Sequence, residues 1–155
     1  MTDPLDATET AQWTTWKHAN EAVAVAVAQE IQAAAGLSVA DFSVLSRVIE
    51  NGSGRLAQNE LGAMLGWQRP RLSRQLSRMA DRGLLVGEAG TAGRRLITAT
   101  EAGRDALAAA RPAHARAVRR VLLSRAQASP NDTFWNVLQH IASDAAPADD
   151  LAELG

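Results

Sequence analysis

The chain has 155 residues, 21% of them charged and 46% hydrophobic, the profile of one soluble globular domain, with room for helical extensions. It contains no cysteine, which excludes disulfides, thiolate metal sites and thiol redox sensing. Its formal net charge of −1 taken alone argues against a nucleic-acid partner, but the distribution argues the other way. Residues 1–68 carry eight acids against Lys17, Arg47 and Arg55, whereas residues 69–95 hold seven arginines against Asp81 and Glu88. Asymmetry of this kind marks a cationic patch. The longest apolar run, residues 22–28, is too short to cross a bilayer. With no signal peptide in view, a soluble cytoplasmic protein without membrane association is expected. The apolar share leans on alanine and there are only six aromatics, four of them Trp. Alanine has the highest helix propensity, so the expected fold is mainly α.

Residues 1–8 read as a frayed lead. From about Glu9 to Ala35 the composition is helical; residues 23–27 alternate like a strand, but an unbroken run of this length exceeds any usual strand. Trp16, Asn20, Val23, Val27 and Ile31 form one stripe, and Gly36 stops the helix. Ser38 starts a second helix, with Asp41 three residues on in a capping-box arrangement. Phe42, Leu45, Val48 and Ile49 are its core candidates, and residues 51–54 (Asn-Gly-Ser-Gly) break the chain. Gly52 to Ala57 spells G-x-G-x-x-A, a nominal dinucleotide fingerprint. It follows a helix rather than a strand and has no βαβ context, so it is rejected. A short third helix over residues 57–65 turns Leu61, Met64 and Leu65 inward, and Gly66-Trp67 makes a turn.

The next segment, residues 68–82, is the most informative in the chain. Pro70 suits a first helical turn. Leu72, Leu76 and Met79 fall at i, i+4 and i+7 and define a buried face. Arg74 projects opposite, beside Ser73 and Ser77, while Arg71, Arg78 and Arg82 line a flank. Gly83 supplies the left-handed residue that ends a helix. A helix apolar on one side and cationic on the other is built to lie against an anion, and here nucleic acid is favoured over solvent. Short helix, glycine turn and second amphipathic helix make a helix-turn-helix. Leu84 then opens a strand, residues 88–93 form a loop and residues 94–98 return. Such a hairpin is marginal alone and must lean on the helices as a wing.

Thr100 caps a long helix running toward Arg125, with a kink expected at Pro112. Along it Ala106, Leu107, Ala110, His114, Ala117 and Val121 recur at helical spacing. Ser129-Pro130 starts a final helix carrying Phe134, Val137, Leu138 and Ile141. The acidic, Pro-containing tail of residues 146–155 reads as disordered.

In this order, Leu37-Ser-Val-Ala-Asp-Phe, Asn59-Glu-Leu-Gly-Ala-Met-Leu-Gly, Arg71-Leu-Ser-Arg, Asp81-Arg-Gly-Leu-Leu-Val and Thr100-Glu-Ala-Gly resemble the MarR family of bacterial winged helix-turn-helix transcriptional regulators. The resemblance covers about residues 10–145. It implies a mainly α fold with a small β-wing: an N-terminal dimerisation helix over residues 1–36, a winged helix-turn-helix over 37–99 and C-terminal dimerisation helices over 100–145. It further implies a homodimer, double-stranded DNA as partner at a pseudo-palindrome, and often release by a small aromatic or phenolic effector; binding there should block polymerase, so repression is the default expectation. No cofactor is expected. Two departures stand out. Family wings carry Asp-x-Arg near the tip, where this chain has Thr91-Ala-Gly-Arg-Arg, so either Arg94 or Arg95 takes the minor-groove role. The third helix begins at Ala57-Gln58, without the family's Ser or Thr cap.

A recognition helix of this type enters the major groove with its N-terminal half against base edges. Arg71 and Arg74 are the candidates for bidentate contact to guanine. Gln68, Arg69, Pro70 and Ser73 surround them, with Gln68 suited to adenine and Ser73 to a base or phosphate. Arg78 suits phosphate, with a pairing to a nearby acid as the alternative, and Arg82 favours the pairing. Trp67 reads as a packing anchor ahead of a base-stacking ring. Trp13, Trp16 and His114 are candidate pocket residues for an effector, set against plain packing roles. Arg111, Arg116, Arg119 and Arg120 suit salt bridges between subunits or added positive potential. The three histidines lack metal spacing. An enzyme finds no footing, without G-x-S-x-G or paired carboxylates near a His. The competing reading is a winged-helix protein-interaction module that does not bind DNA.

Overall fold

Asp6 and Glu9 close a reciprocal capping box at the start of a 29-residue helix, α1 (Ala7–Ala35), in the computed structural model, which describes residues 3–127 and 132–145. The helix therefore begins within the stretch expected to fray, because the Asp6 carboxylate accepts from the Glu9 N–H and the Glu9 carboxylate from the Asp6 N–H, both at 2.9 Å. Gly36, at φ +64°, ends it. Of the expected stripe on α1, Ile31 is buried, Val23 and Val27 are half-buried, and Trp16 and Asn20 are exposed. Only the C-terminal part of the helix reaches the core, through Val27, Ile31 and Ala35.

The chain divides into two compact units, Met1–Val118 and Arg119–Gly155. The first contains α1, α2 (Val39–Ser46) continued by a wide turn (Arg47–Asn51), β1 (Arg55–Ala57), α3 (Gln58–Leu65), α4 (Arg69–Asp81), β2 (Leu85–Ala89), β3 (Arg95–Ala99) and α5 (Glu101–Val118). The second contains a wide turn (Arg119–Leu123), the single turn α6 (Ser124–Ala126) and α7 (Thr133–Ala145). Ser129-Pro130, expected to open the last helix, and the acidic tail lie outside the described residues. Along α7 the side chains of Phe134, Val137 and Ile141 are exposed.

The sheet has three antiparallel strands in the order β1-β3-β2, where a two-stranded hairpin was expected. Arg55 pairs with Thr98 and Ala57 with Leu96, so β1 covers the free edge of β3. Leu56 and Ala57 are buried there, and helix α3 begins one residue later than expected, at Gln58. As foreseen from Ala57-Gln58, no side chain caps α3. Both wing strands start one residue later than the sequence suggested, although Leu84 is itself buried. Leu61 and Leu65 turn inward on α3, but Met64 is 37% exposed and is not a core residue. Helix α5 continues through Pro112 to Val118.

Thr100 caps α5 as expected: its Oγ1 accepts from the Gly103 N–H at 3.1 Å and donates to the Gly83 carbonyl at 2.6 Å. That second bond ties the end of α4 to the start of α5. The Thr100 N–H also donates to the Leu84 carbonyl at 3.2 Å. Buried Gly103 sits so close to the same carbonyl that any Cβ would overlap its oxygen. Gly103→Ala therefore forces a backbone shift between α5 and the wing. It should cost about 2–3 kcal/mol of stability, the upper range for overpacking, read as a lowered urea midpoint with an unchanged slope.

Candidate nucleic-acid interface

Residues 65–68 set the geometry of the site. Gly66 takes φ +62°, and the Trp67 N–H donates to the Gly62 carbonyl at 3.1 Å. That left-handed closure ends α3 and turns the chain directly into α4. Leu72, Leu76 and Met79 are buried, which is the face read from their spacing. The opposite face carries Arg69, Pro70, Arg71, Ser73, Arg74 and Arg78, all exposed, with Gln68 exposed at the N-cap. No side chain caps the helix and no acid lies in its first turn. Its N-terminal N–H groups and positive dipole end are thus left available to an anion.

The wing closes the other side. One cleft of about 620 Å³ is bounded by Gln68 and Arg69 at the start of α4, by Gln58 of α3, and by Arg94 and Arg95 of the wing. A second cleft, along the flank of α4, again includes Gln58, Arg69, Ser73 and Arg95. Arg94 donates to the Glu60 carboxylate at 2.8 Å, which ties the wing tip to α3. The Arg95 side chain lies over Gly87, where a Cβ would meet its guanidinium at 2.6 Å; this explains a glycine in a strand. Among the described residues no carboxylate comes within ion-pair distance of Arg69, Arg71, Arg74, Arg78 or Arg95. These five arginines are therefore not neutralised by an acid among the described residues.

Two internal links organise this surface. Gln58 Nε2 donates to Ser73 Oγ at 3.1 Å, holding α3 to the exposed face of α4. The guanidinium of Arg71 lies over the Trp67 ring with its carbon 4.1 Å from the centroid. Trp67 is also packed against the hydrophobic core, the anchoring role expected of it.

The far end of α4 is fixed by a buried polar hub that the sequence reading treated only as a helix cap. Asp41, 2% exposed, accepts from the Ser38 N–H at 2.9 Å, from Gln75 Nε2 at 2.7 Å and from Arg82 Nη1 at 2.7 Å. Burial pushes its carboxyl up, but the bonds from Arg82 and Ser38 and the charge of Arg82 outweigh it, so Asp41 titrates below the ordinary carboxylate range. Arg82 also donates to the Gly36 carbonyl at 2.8 Å. Gln75, buried on an otherwise apolar face, hands its carbonyl oxygen to Arg78 at 2.8 Å. Arg82 is thus a structural residue, paired with an acid as the sequence reading favoured.

The remaining candidates lie elsewhere. Trp13 and Trp16 are exposed on α1, and the Lys17 ammonium lies 5.7 Å from the Trp13 ring centroid. His114 is half-buried and stacked on Phe42, with ring centroids 4.8 Å apart. None of the three lines the clefts described above. Arg111 pairs with Glu50 of the same chain, so an intramolecular partner accounts for it.

Short helix, glycine turn, arginine helix and three-stranded wing define a winged helix-turn-helix protein. The sequence model of the MarR family matches residues 35–96, and over this segment the chain is similar to that family. Solved structures share the fold beyond it. A MarR family transcriptional regulator from Streptomyces coelicolor, solved in complex with DNA, superposes with a TM-score of 0.81 at 23% identity, covering 96% of this chain and 97% of that one. AbsC, a MarR family regulator from the same organism, gives 0.81 at 24% identity over 93% and 98%. An organohalide-sensing regulator in its 2,4-dichlorophenol-bound form gives 0.72 at 17% identity over 94% and 85%. No curated protein sequence matches the chain. Among the described residues no single helix is long and apolar enough to cross a membrane.

Proposed function

We propose that this chain is a sequence-specific DNA-binding regulator that acts in the cytoplasm as a symmetric homodimer on a pseudo-palindromic operator. The observation that carries the proposal is the joint cationic surface: Gln68 and Arg69 at the start of α4 and the two wing arginines border one cleft, and among the described residues no acid lies within ion-pair distance of Arg69, Arg71, Arg74 or Arg95. In the major groove Arg71 and Arg74 read guanines, with Gln68, Arg69, Pro70 and Ser73 packed around those contacts. Arg78 holds phosphate, and the wing sends Arg94 or Arg95 toward the minor groove. Two copies place their recognition helices about 10 bp apart on one face of the duplex. The dimer is supported by apolar residues that a lone chain leaves exposed on two helices, Trp13, Trp16 and Val25 on α1 and Phe134, Val137 and Ile141 on α7. Occupying an operator in this way blocks polymerase, so repression is the proposed outcome.

A small aromatic effector belongs to the same proposal, in line with the dichlorophenol held by one solved protein of this fold. Trp13, Trp16 and His114 are its proposed contacts. Genomic footprinting with purified protein tests the reading. The expected result is a protected two-fold-symmetric site, with binding that falls about 10³-fold or more between 50 and 200 mM salt. Absent or salt-insensitive binding would leave the fold standing without this function. A metabolite panel run on the site found then reads effector release.

A further inference from the structure

An arginine that reads a base must be held still without using up the donors that do the reading. Arg82 and Arg94 are held by carboxylates, through Asp41 and Glu60, and each gives an N–H donor to its partner. Arg71 is held differently, by the face of Trp67, 4.1 Å from the ring centroid. A guanidinium carries its five N–H donors in its own plane, so stacking on that face leaves its edge free for a bidentate contact. The platform is itself fixed. Trp67 is packed against the core, its N–H is bonded to the Gly62 carbonyl, and Gly66 sets the turn it sits in. Helical side chains lean toward the N-terminus, so Arg71, on the first turn of α4, leans back over this ring at the tip of the helix.

Resting on the DNA-binding reading above, we propose that Trp67 is a positioning residue that pre-orders Arg71 for a guanine contact and so sharpens specificity at one base pair of each half-site. Freezing a long, rotamer-rich side chain in advance removes part of the entropic penalty of binding. The benefit falls only where Arg71 makes its full contact, which is how a residue that touches no base changes discrimination.

The test begins by selecting preferred duplexes from a randomised pool with the wild-type protein, then locating the base pair that Arg71→Ala relaxes. Trp67→Met keeps apolar bulk but removes the ring. It should reduce discrimination at that base pair about two- to five-fold, the scale of an exposed cation–π contact, and leave other positions unchanged. Trp67→Phe should recover most of the loss, and Trp67→Met should add nothing in the Arg71→Ala background. Uniform weakening on every duplex, or relaxation at another base pair, overturns the positioning role while leaving DNA binding intact. A wild type that selects no duplex overturns the DNA reading and this inference with it. Should Trp67→Met fail to fold, the wild type still decides through NMR. The Arg71 side-chain protons must show an upfield ring-current shift, and random-coil values overturn the stack.

Discussion

Replacing Asp41 with alanine should destabilise the first unit by about 3 kcal/mol, equivalent to a fall of roughly 10 °C in Tm for a domain of this size. The carboxylate is 2% exposed and serves three donors on two sides. Removing it takes away the side chain that closes the α2 capping box, although Ser38 still caps the Asp41 N–H; lost caps cost about 1 kcal/mol. It also strands the Nε2 of buried Gln75, and an unsatisfied buried donor costs about 1–3 kcal/mol. Arg82, 46% exposed along its side chain, turns to water and adds little. The sign of the pH dependence follows from the lowered carboxyl. A group whose folded pKa lies below its unfolded value contributes stability that is present above the unfolded value and lost as pH falls through the folded one. The gap between wild type and Asp41→Ala should thus be full near neutrality and shrink as pH drops below 3.8, the ordinary aspartate value. Urea melts across this range read both effects. A gap under about 0.5 kcal/mol, the scatter of ordinary surface changes, or one that does not narrow in acid, would refute the hub as an ionic device.

The same hub shows what the sequence could and could not disclose. Local periodicity made the apolar face of α4 legible, because Leu72, Leu76 and Met79 obey the helical repeat and nothing opposes it. Gln75 is buried on that face for a reason periodicity cannot see: its partner lies 34 positions away on α2. The Ser38–Asp41 cap was visible as spacing, yet its second use, holding Arg82 41 residues on, depends on tertiary packing. Strand β1 was hidden in another way. Three residues following a glycine loop carry too little alternation to register, and their pairing with β3 spans some 40 positions. The Asp6-x-x-Glu9 spacing is that of a capping box, a local signal carried by the sequence that opposes fraying at this end of α1. Of the interface, the cationic residues of α4 were readable one by one from the charge asymmetry. The role of Gln58, which bonds Ser73 and borders both clefts, was not, since α3 bears no charge pattern that marks it. The Trp67–Arg71 stack sits at a four-residue spacing that sequence inspection could have weighed.

Arg71→Ala combined with Arg74→Ala should lower affinity for the selected operator at least about 30-fold, because two bidentate guanine contacts are each worth about 1–3 kcal/mol of discrimination and 1.4 kcal/mol is tenfold. Both side chains stand on the solvent face of α4, and neither makes an ion pair among the described residues. Truncating them should leave the thermal midpoint close to wild type, separating loss of recognition from loss of fold. The comparison that gives the result its meaning is Arg78→Ala. A phosphate contact carries no sequence information, so its removal should weaken all duplexes alike and flatten the dependence of log affinity on log salt by about one unit per site. The double variant should do something else: preferred and scrambled duplexes converge, because what disappears is the difference between them. Titrations of each variant against both duplexes at several salt concentrations make the distinction. If the double variant and Arg78→Ala prove interchangeable, every arginine on this face is a phosphate ligand. Sequence choice would then have to come from the wing or from the shape of the duplex. If neither variant alters regulation in the cell, the arginine face serves a partner other than DNA, and the winged-helix interaction module becomes the better account.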